Sequence, residues 1–322
     1  MQCNVLMTGK LLLSGIVTLF VLLACSPQTS NSVAPANPAK SSVGAQVLIP
    51  LTDAVANMTY SGIYDDDVTL TDGRWEGEPF VADGASRPAV GIIDDFMLIG
   101  DLDGDGTDEV VVFLWESSGG SATYIYIAVA GSRDGQNLNL ATAPVGDRVQ
   151  LRSGDINDGQ IELGVVQQGS GDAACCPSQL ASRYWRLEEA AGLTESQADI
   201  TGKLSIEKLA GAEWVLANLD INKPLPAGPR VTLVFTGGRI SGSSSCNRYF
   251  ASVSEGDIPG DLTVTRVGST RMACPPADME LESSYLNALE NVTKFGFYLG
   301  KLALSWQQDG HVQTMLFLSE PE

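Results

Sequence analysis

The chain has 322 residues, 19 of them basic and 39 acidic, so its formal net charge at neutral pH is −20. A surface this acidic repels nucleic acid and anionic lipid headgroups, which argues against nucleic-acid binding and against membrane attachment through a basic patch. With 44% hydrophobic residues and apolar segments dominated by strand formers, the chain can build real cores, and its length fits two domains.

The first ten residues carry one charge, Lys10, and Leu11 to Leu23 is almost wholly apolar, interrupted by Gly15. That run has the length of a signal-peptide core and falls short of the ~20 residues a spanning helix needs. Leu22-Leu23-Ala24-Cys25 then leads into a Ser-, Pro-, Asn- and Ala-rich stretch. This arrangement resembles the lipobox of bacterial lipoproteins. The resemblance implies removal of residues 1–24 as a signal peptide, acylation of the Cys25 thiol, and a place in the cell envelope. The lipid would then be the membrane anchor, with about 0.8 kcal/mol from each buried CH2. Ser26 stands where an inner-membrane retention signal would have Asp, which favours the periplasmic face of the outer membrane if the envelope has two membranes. An exported chain meets an oxidising compartment, so its remaining cysteines are free to form disulfides. Residues 25–45 hold almost no large apolar group and read as a flexible tether.

Residues 46–188 read as a β-rich N-terminal domain. Val47-Leu48-Ile49 opens it. Val68-Thr69-Leu70 runs into Asp72-Gly73, a hairpin signal. Val90–Ile93 and Phe96–Ile99 read as two strands. The unbroken apolar run Val110–Trp115 fits a strand buried on both faces. Tyr124–Val129 returns beyond the Gly119-Gly120 turn and ends at Asp134-Gly135, and Ile161–Val166 and Tyr184–Leu187 close the sheet.

Between two of these strands lies Asp101-Leu102-Asp103-Gly104-Asp105-Gly106-Thr107-Asp108-Glu109. Ca2+ takes about six to eight hard oxygen ligands, and alternating carboxylates on a tight loop supply them. The candidate ligands are the side chains of Asp101, Asp103, Asp105 and Glu109 and the carbonyl of Thr107. An EF-hand would place an acid at the twelfth position, which is Val112 here. The loop resembles instead the Asp-x-Asp-Gly-Asp-Gly calcium loops found between strands, as in integrin-type propeller repeats; with a single copy, a propeller does not follow. The competing reading is an acidic Gly-rich hairpin without an ion.

Cys175-Cys176 lies in a polar loop and precedes Pro177. These cysteines either bond to each other or pair elsewhere, for example with Cys246 and Cys274; four cysteines allow about three connectivities. Residues 189–205 read as helix formers or linker at the domain boundary.

Residues 206–322 form the second predicted domain. Trp214-Val215-Leu216 starts a strand. Val231–Phe235 and Arg239–Gly242 form a hairpin about Gly237-Gly238, and Leu262–Val267 is a further strand. Apolar residues at 281, 285, 286 and 289 have helical spacing, with Asp278 as the expected cap. Phe295–Tyr298, Lys301–Trp306 and Thr314–Leu318 complete the sheet, the last two joined through Asp309-Gly310. A bond between Cys246 and Cys274 would close a loop of about 28 residues and contribute roughly 3–4 kcal/mol; two buried free thiols are the alternative. The expected fold class is mainly β (α+β): two domains, each an antiparallel sheet or small barrel, the C-terminal one with a single helix packed on it.

Several motifs recur together in this second half: Trp214-x-Leu216, Gly242-x-x-x-Cys246-Asn247-x-Tyr249, Ser269-Thr270-Arg271-Met272-Ala273-Cys274, Glu280-x-x-x-x-Tyr285-Leu286-x-x-Leu289 and Met315-Leu316-Phe317. Together they resemble the META/HslJ family of small secreted or lipid-anchored domains. The resemblance implies a barrel-like antiparallel sheet with a helix, and a link to heat shock and envelope stress, with no catalytic residues to carry over.

Signals for catalysis are sparse. His311 is the single histidine and follows a turn, and neither a Gly-x-Ser-x-Gly elbow nor a Walker loop is present. Trp75, Trp115, Trp185, Trp214 and Trp306 read as core residues before they read as a ligand groove. The favoured reading is a lipid-anchored envelope protein with a non-catalytic binding or structural role and an envelope protein or small ligand as partner. A secreted-enzyme inhibitor or small-ligand binder comes second, and a carboxylate-based hydrolase third.

Overall fold

Short Gly-marked turns and apolar segments about as long as strands put most of this chain into antiparallel sheets. The computed structural model describes residues 50–82, 84–196, 198–225 and 228–321. Cys25, the apolar run before it, the tether and the Val47–Ile49 strand lie outside the described residues. The described residues all fall within one compact unit. Among them, no helix is long and apolar enough to cross a membrane.

The first sheet runs Arg74–Glu76, Ala89–Gly100, Glu109–Ser117, Tyr124–Arg133, Gln136–Asp147, each strand antiparallel to the next. Its central strand explains the apolar run noted above. Val111 and Phe113 face a second sheet, where they meet Leu163, Val165 and Trp185. Val110, Val112 and Leu114 face the other way, onto Val55, Tyr60, Val68 and Leu70. Burying both faces removes water from the side chains of Val110 through Leu114, at roughly 1.5–3 kcal/mol for each large residue, whereas Trp115 at the end of the run stays half-buried.

Val90–Ile93 and Phe96–Ile99, expected as separate strands, are one strand, Ala89–Gly100. Its register against Glu109–Ser117 shifts between Ile92 and Met97. Asp95 sits at φ 61° within that irregularity, and a bulge of this kind hides strand continuity from periodicity.

The second sheet contains Gln150–Asn157, Gln160–Gln167, Gln179–Glu188 and Gly192–Glu195, with Asp199–Lys203 also paired to Gln179–Glu188. The stretch read as helix formers or linker therefore carries two strands. Their mostly polar side chains conceal them: pairing to Gln179–Glu188 holds both in place, and Leu193 alone is buried in the core.

The third sheet has the order Leu262–Val264, Arg248–Glu255, Arg239–Ser243, Thr232–Thr236, Ala212–Asp220, His311–Pro321, Lys301–Gln308, Lys294–Tyr298. Its two ends nearly meet: Leu262 N donates to Thr293 O at 2.9 Å and Phe295 N to Gly260 O at 2.7 Å. The result is a nearly closed barrel, as expected. The predicted Leu262–Val267 strand is shorter, ending at Val264. Helix Pro276–Asn291 buries Tyr285, Ala288 and Leu289 against the sheet. Asp278 does not cap this helix. Pro275 holds the N-cap position without a side-chain bond, and Asp278 sits in the first turn, accepting from Ser245 Oγ at 3.1 Å. Pro276 suits the first helical position because no partner is needed there for a backbone N–H.

The first and second sheets pack face to face as a sandwich around their shared core, and one hairpin of the barrel reaches back to it. At its tip Leu299 adopts φ 51° and packs on the sandwich core. Gly300 N donates to Leu151 O at 3.0 Å, and Phe297 N to Gln150 Oε1 at 2.8 Å. The Arg152 guanidinium lies 4.9 Å from the centre of the Phe297 ring.

Candidate functional site

The acidic loop connects Ala89–Gly100 to Glu109–Ser117, and its own backbone N–H groups orient its carboxylates. Asp101 accepts from Gly104 N at 2.7 Å and from Gly106 N at 3.0 Å. Asp103 accepts from Asp105 N at 3.1 Å, and Asp105 from Thr107 N at 2.7 Å. Gly104 and Gly106 have φ of 79° and 87°, the left-handed region where glycine carries no steric penalty. Carboxylate oxygens of Asp101, Asp103 and Glu109 lie within 4.8 Å of one another. Asp105 stands outside that trio.

Glu109 is the unusual member. It is fully buried, and its Oε2 accepts from Leu102 N at 2.9 Å. Its Oε1 has no hydrogen bond. The nearest counter-charge is the Arg133 guanidinium, 3.5 Å from Oε1, which also pairs with Asp103 and lies 3.8 Å from Asp105. Burial holds the Glu109 carboxyl above its ordinary pKa; Asp103 and Asp105 push the same way, and the Leu102 N–H and Arg133 oppose them. An oxygen-only donor set with a buried, under-bonded carboxylate fits a hard cation such as Ca2+. Arg133 was not apparent from the loop's own sequence. It arrives by register: Val110 pairs with Ala130, so antiparallel continuation carries Arg133 alongside the loop.

The four cysteines among the described residues form two disulfides. Cys246 bonds Cys274, with Cα atoms 5.9 Å apart, and Cys175 bonds Cys176. The Cys175–Cys176 loop is held by Asp172, whose carboxylate accepts from Gly169 N, Ser178 N and Ser178 Oγ at 2.7–2.8 Å. These bonds, the Gly169 N–H foremost, lower the Asp172 pKa.

The Cys246–Cys274 bond lies beside a polar network built from the barrel motifs. Asn247 is buried; its Oδ1 accepts from Thr270 Oγ1 and Met272 N, both at 2.7 Å. Its backbone N–H and Nδ2 donate to the two carboxylate oxygens of Glu282, at 2.8 and 3.0 Å. Ser244 Oγ also donates to Glu282, at 2.6 Å. Glu282 escaped the motif reading, although helical spacing puts it on the face of Tyr285 and Leu289. Tyr249 and Tyr285 share a hydroxyl hydrogen bond of 2.6 Å, and burial raises the pKa of both phenols. Trp214 Nε1 donates to Leu209 O at 2.9 Å, and Met315, Leu316 and Phe317 are buried. Trp185, Trp214 and Trp306 lie in cores, whereas Trp75 and Trp115 are half-buried. His311 is exposed at the start of a strand, beside the Asp309-Gly310 turn.

A nearly closed antiparallel barrel, one helix across it, and a disulfide joining the loop before Arg248–Glu255 to the segment before the helix define a small cross-linked β-barrel domain. Residues 207–320 match the META domain family model, so the resemblance of the second half rests on a family match as well as on its motifs. No curated protein matches the chain. An NMR structure of a protein from Burkholderia xenovorans is similar to it at 26% identity, covering 36% of this chain and 87% of that one with a TM-score of 0.29.

Proposed function

We propose that this chain is a lipid-anchored cell-envelope protein with a non-catalytic binding or structural role, serving envelope stress tolerance through its META domain. The observation that carries this reading is the bonding of the motif residues. Asn247, Glu282, Ser244, Thr270, Tyr249 and Tyr285 mark or adjoin the matched motifs, and they are bonded in two stabilising sets, Asn247 with Glu282, Ser244 and Thr270, and Tyr249 with Tyr285. A bound Ca2+ at Asp101, Asp103 and Glu109 stiffens the sandwich as a structural ion, with Asp105 and the Thr107 carbonyl as further ligands.

The experiment is expression of the wild type and Cys25→Ser in a bacterial host, followed by detergent phase partitioning and mass spectrometry of the N-terminal peptide. The expected result is an acylated Cys25 terminus in the detergent phase, and a Cys25→Ser protein in the aqueous phase. An unacylated chain retaining Met1 in the soluble fraction overturns the anchor. Turnover of any substrate in a hydrolase panel overturns the non-catalytic role.

A further inference from the structure

On the outer side of the first sheet a cleft of about 470 Å3 opens between two loops, lined chiefly by Tyr64, Asp65, Asp66, Asp67, Trp75 and Phe80. Three aromatic rings form its walls. The Tyr64 and Trp75 ring centres are 5.7 Å apart at an interplanar angle of 46°. Phe80 is 57% exposed, so its ring is presented to solvent and contributes little to the core.

Each wall is held in place from behind. The Tyr64 hydroxyl donates to the buried carboxylate of Glu116 at 2.7 Å. The Trp75 ring lies across Gly77, where a Cβ would come within 2.7 Å of both the indole and Pro88. The Phe80 loop is closed by Phe80 N to Ser86 O at 3.2 Å, and Ser86 Oγ donates to Gly119 O at 3.1 Å. The cleft is therefore preformed, which lowers the ordering cost of binding.

Its chemistry selects the sign of the ligand. Asp65, Asp66 and Asp67 are exposed and make no hydrogen bond or ion pair with any described residue. Arg74 and Arg87, the basic residues of the adjoining segment, both pair with Glu76. Among the described residues, the lining contains no basic or amide side chain, and its one hydroxyl, on Tyr64, already donates to Glu116. An anion would meet carboxylates, aromatic rings and the aliphatic Val68 and Pro88, and a neutral polyol would find acceptors with few donors. A cation meets complementary carboxylates and aromatic rings, whose faces carry negative potential, and its alkyl groups can rest on Val68 and Pro88.

We propose that this cleft binds a small organic ammonium cation, with Tyr64, Trp75 and Phe80 contacting its alkyl groups and Asp65–Asp67 neutralising its charge. The site lies outside residues 207–320, so it stands independently of the META match.

The test is titration of the full chain with choline chloride at low ionic strength, read by calorimetry and by tryptophan fluorescence. The neutral isostere 3,3-dimethylbutan-1-ol runs in parallel. Choline binds saturably and about tenfold or more tighter than the isostere, the share of affinity that the charge supplies. Phe80→Ala, at an exposed position that leaves the melting curve unchanged, weakens choline binding about fivefold. Asp66→Asn with Asp67→Asn weakens it further and flattens its salt dependence. Equal binding of choline and the isostere, absence of saturation, or indifference to Phe80→Ala overturns the proposal.

Discussion

Removing the barrel cross-link by Cys246→Ser and Cys274→Ser should lower stability by an amount that loop length sets. The bond spans 28 residues of sequence, and its Cα separation of 5.9 Å lies in the ordinary range. In the chain-entropy model, freeing a loop of that length in the unfolded ensemble costs about 3.6 kcal/mol. At ~2 cal/mol/K of unfolding entropy per residue, the melting temperature falls about 6 °C if the compact unit melts in one step. It falls about 15 °C if residues 207–320 melt alone. Differential scanning calorimetry of wild type, the double variant and dithiothreitol-treated wild type measures the shift and distinguishes the two cases. Cys175→Ser with Cys176→Ser is the internal control. Adjacent residues enclose no chain loop, so their bond contributes less than about 1 kcal/mol by this mechanism. An unchanged melting temperature in the Cys246/Cys274 variant and under reductant would refute the reasoning, as would an equal loss in the control.

Two further outcomes follow from single residues. A Cβ on Gly242 would sit 1.9 Å from Thr232 O and 2.6 Å from its carbonyl carbon, both backbone atoms of the paired strand. Gly242→Ala should therefore cost roughly 3 kcal/mol or more, and a wild-type melting curve would contradict that packing. Glu109 bears on pH and metal together. Its folded pKa is raised, so the protonated form stabilises the fold below its ordinary value of 4.5, and that contribution is lost as pH rises toward the raised folded value. In EDTA, wild type should lose stability relative to Glu109→Gln across that window, whereas millimolar Ca2+ should restore wild type alone; parallel pH curves with no Ca2+ shift would dismiss the site.

The acidic loop shows how much of a site was legible beforehand. Asp101, Asp103 and Glu109 stand at a spacing that a tight Gly-containing loop converts into convergence, and they do converge. Arg133 lies 24 residues beyond Glu109, and only the pairing of Glu109–Ser117 with Tyr124–Arg133 brings it to the loop. The barrel network divides the same way. Cys246, Asn247 and Tyr249 stood out as a motif, but the partner that satisfies Asn247 is Glu282 on the helix. The aromatic cleft left no comparable signal, because its rings come from separate turns and meet only where the loops fold over the first sheet.

Sequence alone determined the antiparallel β class, the turns at Asp72-Gly73, Asp134-Gly135, Gly237-Gly238 and Asp309-Gly310, and a helix through 279–289, though not its start at Pro276, because turn chemistry and side-chain period act over a few residues. Tertiary structure decided which charge faces Glu109, which carboxylate holds Asn247, and that Leu299 carries the barrel hairpin onto the sandwich core. Those meetings depend on strand register and on the burial of whole sheet faces. Both sum weak preferences over distant segments, so no local window of residues contains them.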